Sequence, residues 1–242
     1  MKKPIFIVII LVIFSCSTIK NNEQKQQLST VSAELGAIGI NNSGLLGNQF
    51  QQIGVPELSK KIRIQATHVP FDKASYKKYS GLIKKSGQIN TVMPQDSVIQ
   101  DRPKYLKFVI ADLITLTEAM NAPENKAIQA YLDNDSNYKI ISAVDVVTSK
   151  LVYNDILEAE EIYLSQHNAN KLGLELMKDG KLYKKINLSS FTPFKYNLSS
   201  FCWGNDERRR PCIRAIVAGN ISCPKDTYKQ ASKLDKKNDF KF

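Results

Sequence analysis

The sequence has few of the residues on which common catalytic sites depend. It contains only two histidines, His68 and His167, and they lie far apart along the chain. It also lacks the HExxH, GxSxG, P-loop and dinucleotide-binding motifs, which excludes the enzyme classes that those motifs identify. We therefore predict a protein that is not an enzyme. A hydrolase that uses paired carboxylates stays open, because such a site needs no histidine.

Cysteine and tryptophan are also scarce. The four cysteines are Cys16, Cys202, Cys212 and Cys223, and the single tryptophan is Trp203. Structural zinc sites usually draw their ligands from closely spaced CxxC pairs, and this sequence contains none. We therefore predict neither a metal site nor another cofactor.

The first sixteen residues, MKKPIFIVIILVIFSC, join two lysines to an apolar run at positions 5–14. That run is about half the roughly 20 residues that a helix needs to span a bilayer, so it predicts an export signal peptide. The end of the run, Phe14-Ser15-Cys16, resembles the lipobox of bacterial lipoproteins. The resemblance implies cleavage before Cys16, a diacylglycerol on its sulfur and a further acyl chain, such as palmitate, on its amine. Several acyl chains together anchor a protein stably.

The residues after Cys16 bear on which face of the membrane the protein occupies. The sequence resembles lipoproteins of the Bacteroidota, many of whose surface-exposed members carry an acidic cluster directly after the lipidated cysteine. Here positions 17–22 contain no acid and Glu23 comes late. This difference favours the periplasmic face of the outer membrane, with the cell surface as the alternative. In either case the membrane is contacted through the N-terminal lipid.

Basic residues outnumber acidic ones. Lysine and arginine total 34 against 23 aspartates and glutamates, which gives a net charge of +11. In an exported protein this excess indicates a binding partner such as anionic lipid head groups, acidic glycans, peptidoglycan or an acidic protein. We do not expect a nucleic-acid partner. Lysine is spread along the whole chain, which is also typical of an ordinary solvated surface.

Composition divides the chain into four parts. Residues 1–15 are the predicted signal peptide, and residues 16–55 are a polar tether followed by a glycine-rich segment. Glycine-rich and polar segments lose much entropy on ordering and bury little surface, so we place the folded domain at residues 56–225. Residues 226–242 form a lysine-rich tail.

Periodicity predicts an α+β domain with a mixed sheet, two or three helices and a β-rich, disulfide-stapled C-terminal part. The predicted strands are 61–69, 105–117 (its end extending into a helix), 138–148, 172–176 and 181–188, with an Asp179-Gly180 turn between the last two. The predicted helices are 74–85, 123–132 and 150–166, the last with hairpins as its alternative.

Two acids, Asp112 and Asp145, lie within apolar runs at a spacing of 33 residues. An unpaired buried carboxylate is costly, so each should end a strand, cap a helix or meet a cation. They are also the first choice for a paired-carboxylate site.

The most distinctive local feature runs from Cys202 to Cys212. We predict a stapled hairpin in which these two cysteines are bridged and Cys223 is free, since an envelope compartment favours disulfides. The symmetric register sets Ser200 opposite Arg214. A bridge between Cys212 and Cys223 is the competing connection.

The tip of that hairpin carries charges of both signs beside the only tryptophan. Tryptophan and arginine are enriched at binding hot spots, so Trp203, Arg208, Arg209 and Arg210 are candidate partner-binding residues. The alternative is an ordinary solvated hairpin tip. Elsewhere, Asp96-Ser97-Val98 resembles the three-residue O-glycosylation motif of the Bacteroidota, which makes Ser97 a candidate glycosylation site.

Together these features predict an outer-membrane lipoprotein that is an accessory or structural subunit of a cell-envelope complex for outer-membrane protein assembly, transport or secretion. Its partner would be an outer-membrane protein. The alternatives are an envelope hydrolase that uses paired carboxylates, and a lipoprotein that binds a glycan or another ligand.

Overall fold

The computed structural model describes residues 33–44, 47–86, 103–168 and 170–235. The strands are β1 (Ile38–Gly44), β2 (Gly47–Gly54), β3 (Ile62–Pro70), β4 (Lys104–Ile110), β5 (Tyr138–Val147), β6 (Glu161–Asn168), β7 (Lys171–Lys178), β8 (Lys181–Asn187), β9 (Thr192–Asn205) and β10 (Pro211–Ala218). The helices are α1 (Lys73–Ser86), α2 (Leu113–Met120), α3 (Lys126–Asn134), α4 (Lys150–Glu158) and α5 (Ser232–Asp235), with 3-10 turns at Pro123–Asn125 and Leu188–Ser190.

The strands join into one sheet in the order β10-β9-β5-β4-β3-β6-β7-β8, with β1 on β5 and β2 on β1. The predicted α+β class is confirmed. Every strand pairing that the structure describes is antiparallel, so the pairings differ from the mixed sheet that we expected. Antiparallel neighbours need only short connections, which fits the tight turns between β6, β7 and β8.

Alternation along the central strands divides the core between the two faces of the sheet. Leu106 and Phe108 of β4 belong to the larger cluster, on the face covered by α2, α3 and α4. Tyr105 of the same strand belongs to a smaller cluster with Phe71 and with Tyr79 of α1. Helix α1 therefore lies alone, among the described helices, on its own aromatic cluster.

The sheet begins earlier than the predicted domain start at residue 56. Strand β1 pairs with β5, so that Ile38 lies opposite Ile140, and Leu35 and Ile38 are buried in the main core. Glycine-rich composition concealed this hairpin because its strands carry few apolar side chains.

The domain also ends later than residue 225. Tyr228 pairs with Trp203, and Ala231 and Leu234 are buried in the main core. The predicted lysine-rich tail is therefore part of the fold as far as α5, and residues 236–242 lie outside the described residues.

The predicted helix 150–166 is correct only in its first half. Helix α4 ends at Glu158, and Ala159 is extended. Residues 161–168 form β6, which pairs with both β3 and β7. None of the described helices is long and apolar enough to cross a membrane.

Candidate functional site at the C-terminal hairpin

The turn between β9 and β10, residues 206–210, is organised by one carboxylate and is called the hairpin tip below. Asp206 Oδ1 accepts hydrogen bonds from the backbone amides of Arg208 (2.9 Å) and Arg210 (2.8 Å). Its Oδ2 accepts a third from Nε of Arg210 at 2.9 Å. The Arg210 backbone amide is the largest cause that lowers the pKa of the Asp206 carboxyl. The side chain of Asp206 therefore stabilises the turn at the tip.

The three arginines of this turn differ in their ion pairing. Arg210 is paired with Asp206, with Nη2 2.8 Å from Oδ2. Arg208 and Arg209 are exposed, and neither has an ion pair among the described residues. Arg209 also has a left-handed backbone, with φ of 60°. Two of the three predicted arginines are therefore available as exposed cations.

Trp203 does not share that role, and its prediction as a partner-binding residue is wrong. Its exposure is 3%, and it lies in the main core with Ile213, its neighbour across the strands. Successive residues of a strand point to opposite faces, and position 203 faces the core. Trp203 therefore stabilises the base of the hairpin.

The strand register differs from the symmetric one that we predicted. Cys202 lies opposite Ala215 and Cys212 lies opposite Gly204, with an irregularity between Ile213 and Ala215. The extra residue there is Arg214, so the pairing opposes one residue with two, as in a β-bulge.

The disulfide joins Cys202 to Cys223, at an S–S distance of 2.04 Å, and Cys212 is not bonded. The predicted Cys202–Cys212 bridge is therefore wrong, as is the competing Cys212–Cys223 bridge. The physical reason is the path of the chain after β10. Tyr228 exchanges backbone hydrogen bonds of 2.7 and 2.8 Å with Trp203, which brings Cys223 back to Cys202.

A cavity of about 560 Å³ lies between this returning segment and the hairpin. It is lined by Gly204, Asn205, Arg214, Ala215, Pro224, Lys225, Asp226, Thr227, Tyr228 and Leu234. Cys212 is half-buried, and burial raises the pKa of its thiol above the ordinary value. A neutral thiol is a poor nucleophile, and Cys212 does not line the cavity, whose charged side chains are Arg214, Lys225 and Asp226. The sequence predicted a functional role for neither Arg214 nor Lys225, because only the fold brings them together.

The two acids proposed as a carboxylate pair are not brought together. Asp112 caps α2, where its Oδ1 accepts from the amide of Thr115 at 2.9 Å. Asp145 lies opposite Lys107 on the neighbouring strand β4. Lys107 precedes Asp112 by five residues. Strand β4 continues for three residues beyond Lys107, about 10 Å, before the chain turns into α2. Nothing in this arrangement favours the hydrolase alternative.

Asp145 instead meets a cation. Its Oδ2 lies 3.2 Å from Nζ of Lys195 on β9, although the contact lacks hydrogen-bond geometry. The expectation that each acid should cap a helix or meet a cation is confirmed for both residues.

The two histidines also lie in separate places. His68 Nδ1 lies 3.0 Å from the hydroxyl of Tyr153 on α4, and burial, followed by the charge of Lys104, lowers its pKa. His167 is half-buried in β6 beside Asn187, 3.0 Å away. Among the described residues, no group of three or more acids, histidines and cysteines is placed to hold a metal ion.

Two predicted sites, the acylated Cys16 and the glycosylated Ser97, lie outside the described residues. No known protein family, no curated protein and no solved structure matches this chain.

Proposed function

We propose that this protein is a lipid-anchored accessory subunit of an outer-membrane complex, and that its hairpin tip docks on an acidic surface of a partner protein. The observation that carries the proposal is the turn built by Asp206. That carboxylate fixes the backbone on both sides of Arg209 and leaves Arg208 and Arg209 exposed and unpaired within the described chain.

A prebuilt turn favours binding because little conformational entropy is left to lose when the partner docks. The disulfide between Cys202 and Cys223 and the buried Trp203 hold the base of the same hairpin. Arginine suits a protein partner because its planar guanidinium pairs with a carboxylate through two hydrogen bonds.

The proposed anchor is the lipid on Cys16, which the lipobox-like residues before it support. A fatty-acid probe should label the wild-type protein and should not label Cys16→Ser. Persistent labelling of that variant would contradict the anchor without bearing on the hairpin.

Docking through the tip is tested by removing its two free cations. The protein is isolated from detergent-solubilised membranes as wild type, as Arg208→Ser/Arg209→Ser and as a control, Lys171→Ser/Lys181→Ser. Lys171 and Lys181 are exposed and lack ion pairs in the described chain, so the control removes the same charge. We expect a stoichiometric outer-membrane partner with the wild type and the control, and its loss with the tip variant. Equal retention by all three proteins would contradict docking at the tip.

A further inference from the structure

Helix α1 carries five lysines, Lys73, Lys77, Lys78, Lys84 and Lys85, and no acid within its fourteen residues. All five are exposed. None has an ion pair among the residues that the structure describes. The other described salt bridges show that lysines elsewhere do find partners, such as Lys184 with Asp155 at 2.6 Å.

The five lysines share one side of the helix. At 100° per residue they fall within an arc of about 140°, interrupted only by Ala74 and Gly81, which carry no charge. The buried residues Tyr79 and Ile83 lie on the opposite side. The outer side of α1 is therefore a continuous cationic face, called the lysine face below.

The lysine face is held rigidly outward by its packing. Tyr79 is only 1% exposed, and its ring lies 5.8 Å from that of Phe194 on β9. Phe71, just before the helix, contacts Tyr105 and Phe194 at 5.0 and 5.6 Å. The apolar side of α1 is thus already covered, so this helix can offer a partner only its charges.

The acid closest to α1 in sequence does not neutralise the face. Asp72 precedes the helix and accepts a 2.7 Å hydrogen bond from the amide of Ser75, while the Ser75 hydroxyl accepts a bond from the Asp72 amide. The hydroxyl of Ser75 is the largest cause that lowers the pKa of Asp72. Its charge is therefore directed at the helix N-terminus.

We infer that the lysine face binds anionic phospholipid head groups, and this inference rests on the proposed lipid anchor for the identity of the membrane that supplies them. Lysine is a compact point charge that lacks the bidentate geometry of arginine. A row of lysines without a pocket suits a diffuse layer of phosphates more than one shaped acidic site. Basic residues near an anionic surface each contribute to binding in this way.

The position of α1 fits this role. Phe194, against which α1 packs, lies eleven residues before Asn205 at the tip end of β9, which is about 36 Å along the strand. The hairpin tip is therefore a surface separate from the lysine face. Cys16 precedes Ala33, the first described residue, by seventeen residues, and a chain of that length reaches at most about 60 Å. A tether of that length allows the lysine face to reach the bilayer surface.

Vesicle binding of the full chain carrying Cys16→Ser tests this inference without an acyl anchor. Partition is measured on phosphatidylcholine vesicles with and without 30% phosphatidylglycerol, and the ratio of the two is the readout. Any apolar contribution from residues 5–14 cancels in this ratio. The test variant replaces all five α1 lysines by glutamine. The matched control replaces five other lysines by glutamine. They are exposed and unpaired in the described chain: Lys126, Lys150, Lys171, Lys181 and Lys233.

We expect the anionic preference to fall at least about 25-fold in the test variant, since each lysine near the surface contributes roughly fivefold and two of the five already give about 25-fold. The control should change less than about threefold, and replacing the α1 lysines by arginine should restore binding. Adding Arg208→Ser/Arg209→Ser should leave vesicle binding unchanged. A failure of the membrane inference can therefore be told apart from a failure of the docking proposal. No anionic preference in the parent chain, or equal losses in test and control, would overturn the inference. Normal circular dichroism in each variant excludes misfolding as the cause.

Discussion

Asn125 links two segments of backbone that have no strand pairing with each other. It is 1% exposed. Its Oδ1 accepts from the amide of Glu57 at 2.8 Å, and its Nδ2 donates to the carbonyls of Glu57 (2.9 Å) and Ala119 (2.8 Å). Asn121 makes the same two-way contact with Ile213 of β10. Two amide side chains thus supply backbone partners where the described sheet does not.

We predict that Asn125→Ala lowers the free energy of unfolding by about 2–4 kcal/mol, because buried backbone groups lose their hydrogen-bond partners. Urea denaturation measures this loss. Asn134→Ala is the control, since Asn134 is exposed and bonds only to the Ala130 carbonyl within its own helix. It should change stability by less than about 1 kcal/mol. Similar losses in both variants would argue against the linking role of Asn125.

Asp112 acts as a helix cap, and its hydrogen bonds from the hydroxyl and amide of Thr115 lower its pKa from the ordinary 3.8. A carboxyl whose pKa is lower in the folded state stabilises the protein above its unfolded pKa. That contribution is lost as the pH falls through the lower, folded value. We predict that Asp112→Ala costs about 1 kcal/mol at neutral pH, and that the difference from wild type shrinks below about pH 4. A difference that grows on acidification would contradict the cap.

Elements with strong local patterns were predicted well. The periodicity of β3, α1 and β5, and the Asp179-Gly180 turn between β7 and β8, are confirmed within one or two residues. Local signals succeed here because each element buries one consistent face.

Elements whose form depends on distant partners were not predicted. Residues 161–166 contain good helix formers, yet they form β6 because β3 and β7 offer it pairing on both edges. The cysteine pairing failed for a similar reason, because the Tyr228 backbone must first return to Trp203. At the candidate site, the sequence predicted the charges of the tip. It could not show that Asp206 orders the turn, because the same residues also occur in an ordinary solvated turn.

The disulfide gives a test at the scale of the hairpin. Cys202 and Cys223 are 21 residues apart, and closing a loop of that size contributes about 3 kcal/mol in the chain-entropy model. We predict that reduction destabilises the wild type and Cys212→Ala by about this amount and leaves Cys202→Ala/Cys223→Ala unaffected. If Cys212→Ala were the variant that loses its sensitivity to reductant, the Cys202–Cys223 connection would be wrong.

At the scale of the whole molecule, two cationic surfaces lie toward opposite ends of β9. Helix α1 packs at the Phe194 end with its lysine face outward, and the hairpin tip lies beyond Asn205. The basic residues of the lysine face are all lysines and those of the tip are all arginines, which matches a diffuse anionic layer and a defined acidic surface. An anchored protein with this arrangement would present separate surfaces to the membrane and to its partner.

The most direct measurement is photocrosslinking in intact cells from a probe at the hairpin tip. Glu207 is exposed, and no described contact depends on its side chain. Leu182 on the edge strand β8 is a similarly exposed control position. We predict one discrete protein adduct from the probe at Glu207, its loss when Arg208 and Arg209 are also replaced by serine, and no such adduct from Leu182. The absence of a protein adduct at Glu207, or the same adduct from both positions, would contradict docking through the tip.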